Sequence, residues 1–258
     1  MTGRRLGSVL GVAALVVALV ASLYGNVRQY RKNLALYRAA MLVRIDPTSE
    51  MKFADAAVPA RRDDELRIVF FGDSRVARWD PQPELPGATT IWRGVDGDTT
   101  AQLALRFERD VLALDPDAVV IQAGVNDLIA LGVLDKGRTM AIRRAAERLR
   151  AMVLDAAARD IDVVLLSVFP IGEIDVGRLP VWTEETRTAR GMVNATFANL
   201  DDPRVTYVDV DVSLAPAGTL EPAYAADHVH LTAAGYEIVN REVAAAVARG
   251  LLRRRFAD

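Results

Sequence analysis

The sequence predicts an α/β fold, a three-layer sandwich whose parallel sheet has about five strands, preceded by an N-terminal transmembrane helix. Between residues 66 and 251, short apolar runs alternate with longer segments of helical spacing. Strands separated by helices of this length require right-handed crossovers, so the sheet is expected to be parallel and covered on both faces. A run of 22 uncharged residues, Leu6 to Val27, lies ahead of this pattern and predicts the transmembrane helix.

The first half of the alternating pattern contains three predicted strands and one helix. Leu66–Phe71 is an apolar run that ends in a Gly-Asp-Ser turn, and Thr89–Trp92 is a weaker strand candidate before two glycines. Thr99–Leu114 has apolar residues at helical spacing and stops at an Asp-Pro pair. Ala118–Gln122 is again short and apolar, which indicates a buried strand.

The second half contains two further strands and three helices. Arg138–Arg159 is predicted to be a long helix, and the apolar run Val163–Val168 is a strand that a proline ends. Thr183–Leu200 is typical of a helix, and Val205–Val210 of a last strand. Thr232–Leu251 is the predicted terminal helix.

Residues 1–27 are predicted to be a membrane anchor. As a helix, the uncharged run spans about 33 Å, enough to cross the hydrocarbon core of a bilayer. A cleaved signal peptide and a buried helix of a soluble domain are the alternatives, but no clean Ala-x-Ala site follows the run. The larger number of basic residues after the run favours a cytoplasmic C-terminal part, whereas a short N-terminal tail more often stays inside. We expect the C-terminal domain to lie outside the cytoplasm.

Residues 28–62 are predicted to form a basic juxtamembrane helix and linker, and residues 63–258 a single domain. The helix, over Asn26–Ile45, could lie on anionic headgroups or pack on that domain. Residues 1–62 carry 10 Lys and Arg against 3 Asp and Glu, a balance of +7. The remainder carries 22 against 31, or −9, so the overall charge of −2 joins a basic segment to an acidic domain.

The composition excludes several classes of function. The chain has no cysteine and only two histidines. Disulfides, iron–sulfur clusters and thiol nucleophiles are therefore excluded, and a histidine-rich metal centre is not expected. We predict that the protein uses neither a metal nor a cofactor. The near-neutral overall charge gives no support for nucleic-acid binding.

Residues suited to acyl chemistry follow three of the predicted strands. Ser74 comes after the first strand, Gly97 after the second and Asn126 after the third. The carboxyl ends of parallel strands meet at the edge where ligands bind in open α/β sheets. A serine there could be a nucleophile, and a glycine N–H and an asparagine amide could donate to an oxyanion. Taken singly, each residue also suits an ordinary turn or helix start.

Asp227 and His230 stand just before the final helix. This spacing allows the carboxylate to hold one imidazole nitrogen while the other faces a nucleophile, as in a Ser-His-Asp triad. His228 is the rival base, but the residue three positions before it is Ala225, which cannot orient it. We therefore expect His228 to be a loop residue.

The four blocks resemble, in order, those of the SGNH (GDSL-type) hydrolase family. They read Gly72-Asp73-Ser74, Gly97, Gly124-x-Asn126-Asp127 and Asp227-x-x-His230. The longer strings around them are similar to lysophospholipase and thioesterase-like members. The resemblance covers roughly residues 66–247 and implies a flavodoxin-like sandwich. It implies Ser74 as nucleophile, His230 as general base and Asp227 as the residue that orients the imidazole. It further implies an oxyanion hole formed by Ser74, Gly97 and Asn126.

Arg75 departs from the family pattern, which has Leu at this position. We expect it to face solvent or pair with an acid, and predict that it contacts an anionic group of the substrate. The expected activity is hydrolysis of O-acetyl, short-acyl or lysophospholipid esters through an acyl-enzyme. A carbohydrate O-acyltransferase and a non-catalytic membrane-anchored binding protein are the alternatives. The expected partners are a small-molecule, lipid or carbohydrate ester and a membrane, with the oligomeric state left open.

Overall fold

The computed structural model of the protein describes residues 2–62, 64–174, 182 and 184–255. Its chain divides into two compact units, residues 1–54 and 55–258. Asp63 and Thr183, where the sequence predicts a domain and a helix to begin, lie outside the described residues.

The first unit consists of helices α1, Thr2–Ile45, and α2, Glu50–Phe53. From Val9 to Ile45, α1 is long and apolar enough to cross a membrane, judged by length and composition. The apolar run and the basic segment after it belong to one helix without a break. Asp46 follows α1, and its carboxylate accepts the N–H groups of Glu50 and Met51 at 2.7 and 3.0 Å, which begins α2.

The second unit is built on one parallel sheet with the order β2-β1-β3-β4-β5. The strands are β1, Leu66–Gly72; β2, Ala88–Gly94; β3, Ala118–Gln122; β4, Asp162–Leu166; and β5, Val205–Val208. This order is that of the flavodoxin-like folds, in which ligands bind at the carboxyl edge of the strands. The predicted fold class is therefore confirmed.

Helices cover both faces of the sheet. The long ones are α4, Thr100–Asp110; α6, Arg138–Ala158; α7, Glu184–Phe197; and α9, Ala233–Arg255. Three short ones lie after strands: α3, Ser74–Ala77; α5, Val125–Ile129; and α8, Asp211–Leu214. One predicted helix ends early, because α4 stops at Asp110 and a 3₁₀ turn over Leu112–Leu114 follows it.

Successive side chains of each strand enter two different cores, as the period of two in a strand requires. In β1, Val69 and Phe71 face the core that α4, α6 and α7 cover. Ile68 and Phe70 face the opposite core, which α3 and α9 cover. All four side chains are completely buried, and each contributes about 1.5–3 kcal/mol of transfer free energy. This burial on both sides fixes the strand ends that carry the candidate site.

Candidate active site

Ser74 lies at the sharp turn where β1 ends and α3 begins. A Cβ atom on Gly72 would stand 1.9 Å from the carbonyl oxygen of Gln122, so only glycine lets β1 and β3 approach this closely before the turn. Asp73 is the N-cap of α3, and its Oδ1 accepts the N–H of Arg75 at 2.9 Å. This turn presents the Ser74 hydroxyl at the carboxyl edge of the sheet.

A continuous chain of hydrogen bonds joins Ser74 to a histidine and a carboxylate. His230 Nε2 lies 3.0 Å from Ser74 Oγ, and His230 Nδ1 lies 2.7 Å from Asp227 Oδ2. The second oxygen, Asp227 Oδ1, accepts the backbone N–H groups of Val229 and His230, both at 2.8 Å. The sequence placed the same three side chains in a triad.

Asp227 is held in its ionised form. Partial burial raises its pKa, but the hydrogen bonds from the His230 ring and from the N–H groups of Val229 and His230 outweigh burial and lower the pKa to about 2. At neutral pH the carboxylate therefore accepts the Nδ1–H of His230, which leaves Nε2 as the basic nitrogen facing Ser74.

The residues predicted to form an oxyanion hole follow three adjacent strands of the sheet, β1, β2 and β3. Gly97 is exposed with φ of +82°, a left-handed conformation that favours glycine. Within the described part of the chain, neither the Ser74 nor the Gly97 N–H donates to another group. Asn126, at the start of α5, donates its side-chain N–H to the carbonyl oxygen of Asp98 at 2.9 Å. The amide is thereby fixed beside the Gly97 loop.

A second pair of hydrogen bonds ties the same two loops together. The Asp127 carboxylate accepts the N–H of Thr100 at 2.8 Å and its hydroxyl at 2.7 Å. Burial raises the pKa of Asp127, and the hydrogen bonds from Thr100 partly offset this effect. The segment after β2 and the segment after β3 are thus joined at both Asn126 and Asp127.

Arg106 of α4 connects several backbone segments close to the site. Its side chain has no exposed surface. It donates to Asp98 at 2.7 Å and to Asp110 at 2.9 Å. It also donates to the carbonyl oxygens of Gly72 at 2.9 Å and Arg93 at 3.0 Å. One guanidinium therefore binds the ends of β1 and β2 and the loop that carries Gly97.

Arg106 and its partners are the site residues that the sequence interpretation missed. A signal was available, because Arg106 and Asp110 lie on the same face of α4 as Leu103 and Phe107, all of them buried. Charged residues on the apolar face of a helix are rarely buried without partners.

Metal ligands are not gathered at this edge. Among the residues that the structure describes, no group of three or more His, Asp or Glu side chains is arranged to hold a metal ion.

The sequence matches the profile of the GDSL-like Lipase/Acylhydrolase family over residues 70–238. This range contains Ser74, Gly97, Asn126, Asp227 and His230. The chain belongs to this family. An acetylxylan esterase of Geobacillus stearothermophilus is 29% identical over 163 residues, which are 62% of this chain and 71% of that protein. The resemblance to the SGNH (GDSL-type) hydrolases is therefore confirmed.

Solved structures of GDSL proteins share the fold. A GDSL-like lipase of Bacteroides thetaiotaomicron aligns with a TM-score of 0.62 and 25% identity, over 78% of this chain and 98% of that one. A catalytic mutant of an acetylxylan esterase from Geobacillus stearothermophilus aligns with a TM-score of 0.53 and 21% identity, over 73% of this chain and 96% of that one. The second likeness concerns the fold alone.

The GDSL motif of this chain reads Gly-Asp-Ser-Arg, and its fourth residue behaves differently from the prediction. Arg75 is completely buried, so of the two positions expected for it, facing solvent or paired with an acid, the solvent-facing one is wrong. A side chain without accessible surface does not touch a molecule bound at the protein surface, so a substrate contact by Arg75 is not supported. Its Nε instead donates to the carbonyl oxygen of Val229 at 2.9 Å.

Two residues that follow the GDSL motif, and the rival histidine His228, have structural partners. Arg78 is exposed and pairs with Asp96 at 2.8 Å. Trp79 is buried, and its Nε1 donates to Asn240 at 2.7 Å. His228 is also buried, with its ring edge-on to Trp182 at 4.8 Å between centroids. It is held as a structural loop residue, while His230 faces the serine.

Removing the Asn126 amide from this GDSL protein is expected to lower kcat by about 10²–10³-fold, the usual effect of one oxyanion donor. The measurement is steady-state hydrolysis of p-nitrophenyl acetate by Asn126→Ala. Asn240→Ala is the matched control, because Asn240 also donates its amide to a backbone carbonyl, that of Pro81 at 2.9 Å, but faces Trp79. Equal kcat values in the wild type and Asn126→Ala would contradict the role.

The buried N-cap Asp73 is expected to make stability depend on pH. Burial raises its pKa from 3.8 to about 6, although the Arg75 charge and N–H act in the opposite direction. Since the folded-state pKa exceeds the unfolded one, the stabilisation from the protonated carboxyl is complete below about pH 4 and lost as the pH rises through about 6. Asp73→Asn keeps an acceptor for the Arg75 N–H but does not titrate.

We expect Asp73→Asn to raise the free energy of unfolding at pH 7 by on the order of 2–3 kcal/mol and to flatten its pH dependence between about pH 4 and 6. Urea unfolding of the full chain at a series of pH values, followed by tryptophan fluorescence, measures both effects. Parallel pH profiles for the wild type and the variant would contradict the assignment.

Proposed function

We propose that this GDSL protein is a serine ester hydrolase that cleaves carboxylic esters through an acyl-enzyme on Ser74. The observation that carries the proposal is the hydrogen-bonded chain from Ser74 Oγ through both nitrogens of His230 to Asp227, at 3.0 and 2.7 Å. A serine in such a chain is activated by proton transfer to the imidazole as it attacks a carbonyl carbon.

The reaction follows from these contacts. His230 Nε2 accepts the Ser74 hydroxyl proton while Oγ bonds to the ester carbonyl carbon, and Asp227 stabilises the imidazolium. The negative oxygen of the tetrahedral intermediate is stabilised by the N–H groups of Ser74 and Gly97 and by the Asn126 amide. His230 then protonates the leaving alcohol. Water attacks the acyl-enzyme with His230 again as base, which releases the carboxylic acid and restores Ser74.

The substrates that we propose are small acyl esters, above all O-acetyl groups of carbohydrates. The acetylxylan esterase at 29% identity supports this choice of acyl group. Short-acyl alcohol esters and lysophospholipids are the other substrates to be compared.

The test combines active-site labelling with an ester panel, both on the purified full chain. A fluorophosphonate probe should label Ser74, identified by peptide mapping. Hydrolysis should be fastest for acetyl esters, measured with acetylated xylo-oligosaccharides, p-nitrophenyl acetate, butyrate and palmitate, and lysophosphatidylcholine. Labelling without hydrolysis but with acyl transfer to an added sugar would indicate an O-acyltransferase. Neither labelling nor turnover would indicate a binding protein and overturn the proposal.

We further propose that α1 anchors the enzyme in a membrane. The support is the span Val9–Ile45, whose mean hydropathy reaches 2.1 over its most apolar window. The expected result is that the expressed chain resists carbonate extraction from membranes and retains its N-terminus by intact-mass measurement. A chain that starts near residue 28 would instead indicate a cleaved signal, and protease protection of the C-terminal unit in vesicles would report its side of the membrane.

A further inference from the structure

Arg75 joins the serine turn directly to the loop that carries the histidine. It follows Ser74 in α3, and its Nε donates to the carbonyl oxygen of Val229 at 2.9 Å. Val229 stands immediately before His230, between the two residues that complete the triad. The hydrogen bond therefore links the nucleophile's own helical turn to the acid–base loop.

Val229 is held from two sides. Its N–H donates to Asp227 Oδ1 at 2.8 Å, and its carbonyl oxygen accepts from Arg75. Since His230 is the next residue, these two bonds fix the backbone from which the imidazole extends. The distance of 3.0 Å between Ser74 Oγ and His230 Nε2 depends on that backbone position.

Arg75 is itself firmly placed. The hydroxyl of Tyr236, on α9, donates to the Arg75 carbonyl oxygen at 2.7 Å, and the Arg75 N–H donates to Asp73. The guanidinium lies over the Phe169 ring, with Cζ 5.3 Å from the centroid. These contacts come from three different parts of the fold.

As a merely space-filling residue, Arg75 would be a poor choice. Its side chain is completely buried, and within the described residues its Nη1 and Nη2 atoms have no hydrogen-bond partner. Burying a guanidinium with so few partners is costly, and an apolar side chain of similar volume is usually no less stabilising. Among the residues that the structure describes, the one hydrogen bond made by its side chain is to the loop that carries His230.

We propose that Arg75 is a positioning residue that holds the Val229–His230 backbone at hydrogen-bonding distance from Ser74. The inference rests on the proposed function, because it concerns the same triad. It predicts a loss in the chemical step and not in substrate binding, since the guanidinium has no exposed surface that a substrate could contact. A displacement of about 1 Å at reacting groups can cost on the order of 10²-fold in rate.

The experiment compares kcat and KM for p-nitrophenyl acetate in full-length variants. We expect Arg75→Leu, which restores the family's residue, to lower kcat by about 10–100-fold with little change in KM. Arg75→Lys, which can still donate to the Val229 carbonyl, should recover most of kcat. If Arg75→Leu folds poorly, Arg75→Met, which keeps an unbranched stem without a donor, is judged by the same criterion.

Arg67→Leu is the matched control. Arg67 is also a buried arginine that donates to backbone carbonyls, those of Leu114 at 2.7 Å and Pro59 at 2.8 Å, but it lies near the start of β1. The Arg67→Leu substitution should lower the urea concentration at the unfolding midpoint and leave kcat unchanged.

Wild-type kcat in Arg75→Leu, or an equal loss of kcat in Arg67→Leu, would overturn the positioning role. Fluorophosphonate labelling of the wild type distinguishes failure of the positioning role of Arg75 from failure of the proposed function. A labelled and active wild type with an unaffected Arg75→Leu refutes the positioning role alone. An unlabelled and inactive wild type refutes the proposed function.

Discussion

Ser74→Ala is expected to lower kcat for ester hydrolysis by about 10⁴-fold or more, as removal of a triad nucleophile does. Without Oγ no acyl-enzyme forms, and His230 has no hydroxyl to deprotonate. The fold should persist, because Ser74 Oγ has His230 as its one side-chain partner within the described ranges. Steady-state rates and fluorophosphonate labelling measure the loss, with urea unfolding to verify the fold.

Ser213→Ala is the matched control for that variant. Ser213 is also a serine at a short helix after a strand, but its hydroxyl lies 3.3 Å from Glu242, away from the triad. It should retain wild-type activity and labelling. Residual hydrolysis in Ser74→Ala at the level of Ser213→Ala would refute Ser74 as nucleophile.

Arg106→Met is expected to lower the free energy of unfolding by about 3–5 kcal/mol, because it leaves the buried Asp98 and Asp110 without this cation. The carbonyl oxygens of Gly72 and Arg93 lose a donor in the same step. Urea unfolding followed by tryptophan fluorescence reports the unit that contains the sheet, since all three tryptophans lie within it.

Arg109→Met is the control for charge removal on the same helix. Arg109 also pairs with Asp110, at 2.7 Å, but its side chain is 35% exposed. Its loss should cost no more than about 1 kcal/mol, as for other solvent-accessible pairs. Similar unfolding free energies for the two variants would show that burial of Arg106 carries no special weight.

Much of the fold and the core of the site follow from local sequence patterns. The strands are short apolar runs with clear ends, and Ser74 and Asn126 stand directly after two of them. Asp227 and His230 are three residues apart, so one loop brings them together. These features depend on neighbours in the chain, which a sequence displays directly.

The remaining features depend on packing between distant segments. Arg106 donates to Asp98, Gly72 and Arg93 only because α4 packs against the ends of β1 and β2. The Arg75 side chain is directed by the Val229 carbonyl oxygen and the Phe169 ring, both distant in the chain, which the adjacent sequence does not reveal. Helices of four or five residues, such as α3 and α5, are too short to show a helical period.

The buried Arg106 also has a consequence for how the enzyme loses activity on heating. Because its guanidinium holds the ends of β1 and β2 as well as the loop that carries Gly97, opening of that loop would break hydrogen bonds at the sheet edge. We therefore expect the loop and the central strands to unfold in one cooperative transition. Hydrolytic activity should therefore be lost on heating in a single transition that coincides with the unfolding of the native fold.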